Sequence, residues 1–150
     1  MAVHRLIYRS VATRLLSAEE LRRMIEQARI HNYSHDITGV LFYAEGRFLQ
    51  VLEGGMEPVT ALYGRICEDS RHTEVVKIHH ARVAQRLFPN WSMSFGQVAG
   101  TALTRLSTYL DPECQAALLP SAYDVEAFIA DTIQEFVRDE FTVTARLPQR

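Results

Sequence analysis

The segment 37–54, ITGVLFYAEGRFLQVLEG, is the strongest constraint on what this chain can fold into. Its first half, Ile37 to Tyr43, is a continuous apolar run and reads as a buried strand. Glu45-Gly46 is a turn signal, and Arg47 to Glu53 reads as the return strand of a hairpin. A sheet containing so apolar a strand needs covering layers, and the flanking sequence has to supply them.

It does. In residues 3–10 a strand would put Leu6, Tyr8 and Ser10 on one face, and Arg5, Ile7 and Arg9 on the other. Ser17-Ala18-Glu19-Glu20 has the spacing of a capping box, and Leu21, Met24, Ile25 and Ala28 follow at helical intervals. A helix over about residues 18–31 is predicted. Gly54-Gly55 breaks the hairpin, and Pro58 suits a helix's first turn. Val59, Leu62, Tyr63 and Ile66 carry a second helix to about Glu68. Val75 to Val83 is a further strand. Trp91-Ser92-Met93-Ser94-Phe95 alternates large apolar with small polar residues and predicts another. The order is βαββαββ over residues 1–98, a ferredoxin-like α+β pattern with one added strand and both helices on one face of a largely antiparallel sheet. Residues 99–150 form a helical extension, with helices at about 102–110 and 122–140, the latter capped by Ser121 with Asp124. These helices are expected to cover the other face of the sheet as a cap, not as a second domain, with Arg146 to Arg150 frayed.

Composition narrows the function classes. The chain has 150 residues, 47% apolar and 23% charged, the balance of an ordinary globule. Sixteen basic against eighteen acidic residues give a net charge of −2, which does not favour nucleic acid or an anionic membrane as partner. Cys67 and Cys114 make neither a disulfide framework nor a zinc motif. No apolar run approaches the ~20 residues that span a bilayer. The N-terminus lacks a signal peptide's long apolar stretch, so a reduced, cytoplasmic chain is expected.

Three polar residues stand out in apolar surroundings. Gln50 shares a strand face with Phe48 and Leu52, where its amide needs partners for one acceptor and two donors. Tyr8 places a phenol in the first strand, and Asn32 follows the first helix. Each alone has an ordinary structural explanation: a satisfied core amide, a bonded core tyrosine, a helix-terminal asparagine. The six histidines show no ligand spacing, and His79 and His80 face opposite sides of their strand. No nucleophile elbow, Walker loop or GxGxxG is present.

The joint pattern carries more. LIYRS at 6–10, RIHN at 29–32, ITGVLFY at 37–43, RFLQVLEG at 47–54, ICEDSRH at 66–72 and NWSMSF at 90–95 occur in the order and spacing of one family. The chain resembles the BLUF family of flavin-binding blue-light sensors over about residues 3–98. The resemblance implies a non-covalent flavin between the two helices and the sheet, usually FAD, with FMN and riboflavin as alternatives. It implies Tyr8 as light-driven electron and proton donor, and Gln50 as the group between Tyr8 and the flavin. Asn32 would anchor the ring's carbonyl and N3 edge, with His31 beside it. Arg65 and Arg71 would take the phosphate side, and Ile25 and Ile66 would sandwich the ring. Met93 and Trp91, expected to point toward Gln50, would carry the signal to the C-terminal helices. The output would pass to an unidentified signalling protein or to a homo-oligomer, without substrate turnover. The alternatives are an interaction module on the same fold without flavin photochemistry and, more remotely, an acylphosphatase-type hydrolase. The hydrolase lacks a phosphate-cradling loop after the first strand.

Overall fold

The computed structural model of the chain describes residues 2–113, 115 and 124–140. Its elements run β1 (Val3–Ala12), α1 (Ala18–Ser34), β2 (Thr38–Ala44), β3 (Arg47–Gly54), α2 (Met56–Glu68), β4 (His72–Val83), β5 (Ser94–Gln97), α3 (Gly100–Leu110) and α4 (Val125–Glu140). The βαββαββ order is the expected one. All five strands join one sheet in the order β4-β1-β3-β2-β5, antiparallel except for the β2–β5 pair.

Local chemistry places these elements. Ser17 and Glu20 form the capping box: the Ser17 hydroxyl accepts from Glu20 N–H, and the Glu20 carboxylate accepts from Ser17 N–H. The hairpin turns on Glu45 and Gly46, both at positive φ (52° and 84°), the backbone a two-residue I′ turn requires. Gly39 sits so close to β3 that a Cβ would lie 1.8 Å from the Val51 carbonyl oxygen, so only glycine lets these strands approach.

Every residue of β2 is buried, because the sheet is covered on both faces. One face carries Leu6, Tyr8, Leu41, Phe48, Leu52, Met93 and Phe95 under Leu21 and Ile25 of α1 and Val59 of α2. The other carries Ile7, Val40, Phe42, Leu49 and Val51 under Leu103, Leu106 and Leu110 of α3 and Ile129, Ile133 and Phe136 of α4. The C-terminal helices thus lie over the second face, as expected. Asp124 caps α4, its carboxylate accepting from Ala127 N–H at 3.1 Å. Ser121, Cys114 and Arg146–Arg150 lie outside the described residues.

One element departs from expectation. The strand predicted from Trp91 begins only at Ser94. The carbonyls of residues 91–93 are drawn elsewhere: Trp91 O accepts from Gly39 N–H at 2.8 Å, Ser92 O from Asn32 Nδ2 at 3.1 Å and Met93 O from Arg29 Nε at 2.8 Å. Residues 91–93 therefore stay irregular, and the alternation of their side chains is broken.

Candidate functional site

Register builds the centre of the site. Antiparallel pairing sets Tyr8 of β1 directly opposite Gln50 of β3, and Gln50 opposite Leu41 of β2. Both polar side chains fall on the α1/α2 face and are buried, Tyr8 at 1% and Gln50 at 5% exposure. The Tyr8 hydroxyl donates to Gln50 Oε1 in a short hydrogen bond. The other end of the amide, Nε2, donates to the Met93 sulfur at 3.2 Å. Burial, chiefly, pushes the Tyr8 phenol well above the usual tyrosine range, so it is neutral and holds its proton.

Over this pair opens a cleft of about 220 Å³ between α1 and α2. Tyr8 and Gln50 lie in its floor. Ile25, His31 and Asn32 of α1 and Arg65 and Ile66 of α2 also line it, with Arg71 just beyond α2. Eight of the sequence-derived candidates therefore meet around one cavity. Met93 lies beneath, in contact with Gln50. Trp91 does not join them. Its ring packs on the opposite face of the sheet, stacked on Phe88 with centroids 5.0 Å apart. The expectation that both Trp91 and Met93 point toward Gln50 is corrected for Trp91, because the irregular backbone at 91–93 turns the two side chains to different faces.

Two polar atoms in the cleft wall lack partners among the described residues: Asn32 Oδ1 and His31 Nδ1. Asn32 lies in the last turn of α1 at 1% exposure, and its amide nitrogen is already committed to Ser92 O. A buried acceptor left unpaired costs about 1–3 kcal/mol, so the arrangement calls for a donor from outside the chain. Arg65 Nη1 stands 3.1 Å from His31 Nε2. Since a guanidinium only donates, Nε2 accepts and the imidazole proton sits on Nδ1. The cleft therefore presents one unpaired acceptor and one unpaired donor on consecutive residues of α1, in a slot flanked by Ile25 and Ile66. That donor set suits the edge of a planar heterocycle with alternating N–H and carbonyl groups, which fits a flavin. At the mouth, Arg71 holds Asp69 at 2.6 Å, and this bond lowers the Asp69 carboxyl to about 2.

Burial first, then the charges of His35 and Arg65, hold the His31 pKa below its ordinary 6.5. A histidine depressed in the folded state contributes stability that is whole above its unfolded pKa and is lost as pH falls through its folded one. His31→Gln is accordingly expected to flatten the fall in melting temperature between about pH 7 and about pH 5. A wild-type slope in the variant would mean that His31 does not titrate in this way.

Sequence reasoning missed several cleft residues, among them Ala28, Leu62, Asp69 and His72. Ala28 stands at i+3 from Ile25, so helical spacing from the identified residues marks it. Asp69 and His72 carried no such signal, since each enters the cleft from the connection between α2 and β4 or from the start of β4.

Residues 3–94 match the family model BLUF, described as sensors of blue-light using FAD. The photoactivated adenylate cyclase subunit beta of Euglena gracilis is 39% identical over 90 residues, which is 59% of this chain and 10% of that protein. The blue light- and temperature-regulated antirepressor BluF of Escherichia coli (strain K12) is 36% identical over 73 residues, 49% of this chain and 18% of the relative. This chain thus spans a small fraction of the length of these relatives. Among solved structures, BlsA in its photo-activated state superposes with a TM-score of 0.67 at 25% identity, covering 99% of this chain and 98% of that one. BlrB in its dark state gives 0.65 at 26% identity, covering 89% and 96%. Among the described residues no helix is long and apolar enough to cross a membrane.

Proposed function

This chain belongs to the BLUF family, and from that premise we propose that it is a blue-light photoreceptor that binds a flavin without a covalent link and signals without turning over a substrate. The observation that carries the reading is the buried chain Tyr8–Gln50–Met93 in the floor of a cleft whose wall holds an unpaired acceptor on Asn32. Asn32 and His31 hold the polar edge of the ring, Ile25 and Ile66 hold its faces, and Arg65 and Arg71 meet the phosphate of FAD or FMN. The flavin supplies light absorption and, once excited, the oxidising power that draws an electron and a proton from Tyr8.

The chain's own contribution is the switch. Tyr8 is held neutral, so its hydroxyl proton is available along the bond to Gln50 Oε1. An amide has one accepting and one donating end. A change at Gln50 therefore exchanges what Tyr8, Met93 and the ring each meet, giving two discrete hydrogen-bond arrangements. Met93 is the first residue outside the cleft to feel that exchange. From there the signal reaches β5 and the helices α3 and α4, to be read by a separate signalling protein or a second copy of the chain.

The test is the visible absorption spectrum of protein purified in the dark, before and after blue light. The expected result is a flavin spectrum that shifts slightly to the red under illumination and recovers in darkness. A colourless protein that takes up no FAD, or a bound flavin without a light response, would favour an interaction module on this fold.

A further inference from the structure

The segment that carries Met93 is gripped from α1. Arg29 and Asn32 stand one helical turn apart and donate to consecutive carbonyls, Arg29 Nε to Met93 O at 2.8 Å and Asn32 Nδ2 to Ser92 O at 3.1 Å. The β2 backbone holds the next carbonyl back, with Gly39 N–H on Trp91 O at 2.8 Å. The two side-chain donors differ in kind. Asn32 lines the cleft, whereas Arg29 does not. Arg29 is also charged, and a charge-assisted bond is roughly twice as strong as a neutral one. The Met93 side chain meanwhile accepts from Gln50 Nε2 at 3.2 Å. Gln50 exchanges its amide ends only if that sulfur gives way. With peptides 92 and 93 both held, the movement left to Met93 is side-chain rotation. With the peptide released, the whole segment moves and the rearrangement meets less resistance.

We propose that Arg29 is a positioning residue: by fixing the Met93 peptide, it sets how fast Gln50 returns from its lit arrangement. This rests on the photosensor reading given above. Tyr8 bonds Gln50 Oε1 and Gln50 Nε2 bonds the Met93 sulfur, whereas Arg29 Nε bonds the Met93 backbone carbonyl, so the photochemical step itself is expected to survive replacement of Arg29.

Arg29→Met keeps the alkyl stem and removes the donor; Arg29→Lys restores a charged donor. Two readouts are taken on the flavin-loaded protein: dark recovery after a blue flash, and hydrogen exchange of the segment 92–96 in the dark. Arg29→Met is expected to keep the dark spectrum and the size of the red shift, to recover about tenfold faster and to exchange the segment about tenfold faster, the scale of one lost charged hydrogen bond. Arg29→Lys is expected to fall between variant and wild type on both. Wild-type recovery or wild-type exchange in Arg29→Met overturns the proposal. Should Arg29→Met not fold, Arg29→Leu is read by the same two criteria. A wild-type protein that lacks flavin or shows no light response sinks the photosensor reading, and the timing role with it. Exchange in the flavin-free protein then still decides whether Arg29 holds the segment.

Discussion

Gln50→Leu is expected to abolish the light-induced red shift while flavin remains bound. Leucine nearly matches glutamine in volume, so the floor of the cleft stays filled. It has neither the Oε1 that accepts from Tyr8 nor the Nε2 that donates to Met93. Tyr8 then keeps a buried hydroxyl without an acceptor, and no amide remains between Tyr8 and Met93 to exchange donor for acceptor. The stability cost is expected to stay near about 1–3 kcal/mol, because the unpaired phenol is partly offset by removal of a buried amide that itself needed partners. The loss of the light response is complete by comparison. The measurement is a light-minus-dark absorption spectrum, with the flavin-to-protein ratio as control. A red shift of ordinary size in this variant would mean that the switch lies elsewhere. Tyr8→Phe separates the two halves: it removes the donor and leaves the amide, and it too is expected to lose the response.

Much of this cleft is legible in the sequence, partly from periodicity and partly from the family resemblance. Period-two alternation in 47–53 put Gln50 among Phe48 and Leu52, and a polar residue on an apolar strand face is conspicuous. Helical spacing placed Ile25 and Ile66 on the apolar stripes of their helices, and the family resemblance supplied the expectation that they flank a ring. Residues 91–93 were misread because alternation is evidence for a strand only if the backbone hydrogen-bonds as one. Here the bonds go to a helix side chain, a second helix side chain and a glycine N–H, none of which local sequence announces. Trp91 was misplaced for that reason. Arg29 lay within the RIHN segment without a role of its own, since the carbonyl it bonds is 64 residues away. The same holds for Glu53, which in the sequence is only the end of the hairpin's return strand. Its partner Arg5 becomes obvious only once the β1–β3 register sets the two opposite each other.

That pair gives the largest stability effect expected in the molecule. Glu53 is fully buried at 0% exposure and Arg5 nearly so at 3%. The carboxylate accepts from Arg5 Nε at 2.8 Å, from Leu87 N–H at 2.9 Å and from Phe88 N–H at 3.0 Å. Arg5 reaches on to Glu126 in the first turn of α4 at 3.0 Å, and Glu126 also meets His79 of β4 at 2.5 Å. Glu53→Ala strands the Arg5 charge with only the half-exposed side of its network and leaves two backbone N–H groups without acceptors. A buried pair broken on one side costs about 3–5 kcal/mol, a large part of a small domain's total stability. Glu53→Gln keeps an acceptor for the backbone and is expected to lose less. Arg5→Leu with Glu53→Leu removes the stranded charge altogether, so the double variant is expected to be more stable than Glu53→Ala despite changing two buried residues. Urea unfolding with an unchanged m-value reads all three, and a Glu53→Ala midpoint within about 1 kcal/mol of wild type would show that the network contributes little. Its position gives the measurement a second use. Glu53 lies three residues beyond Gln50 on β3 and holds the backbone of residues 87 and 88, where Phe88 stacks on Trp91 just ahead of Met93, while Arg5 ties the same carboxylate to α4. The sheet that carries the switch and the helix that covers its far face are thus joined through one buried charge. If the signal leaves along α4, Glu53→Gln alters the output while the red shift at Gln50 stays unchanged.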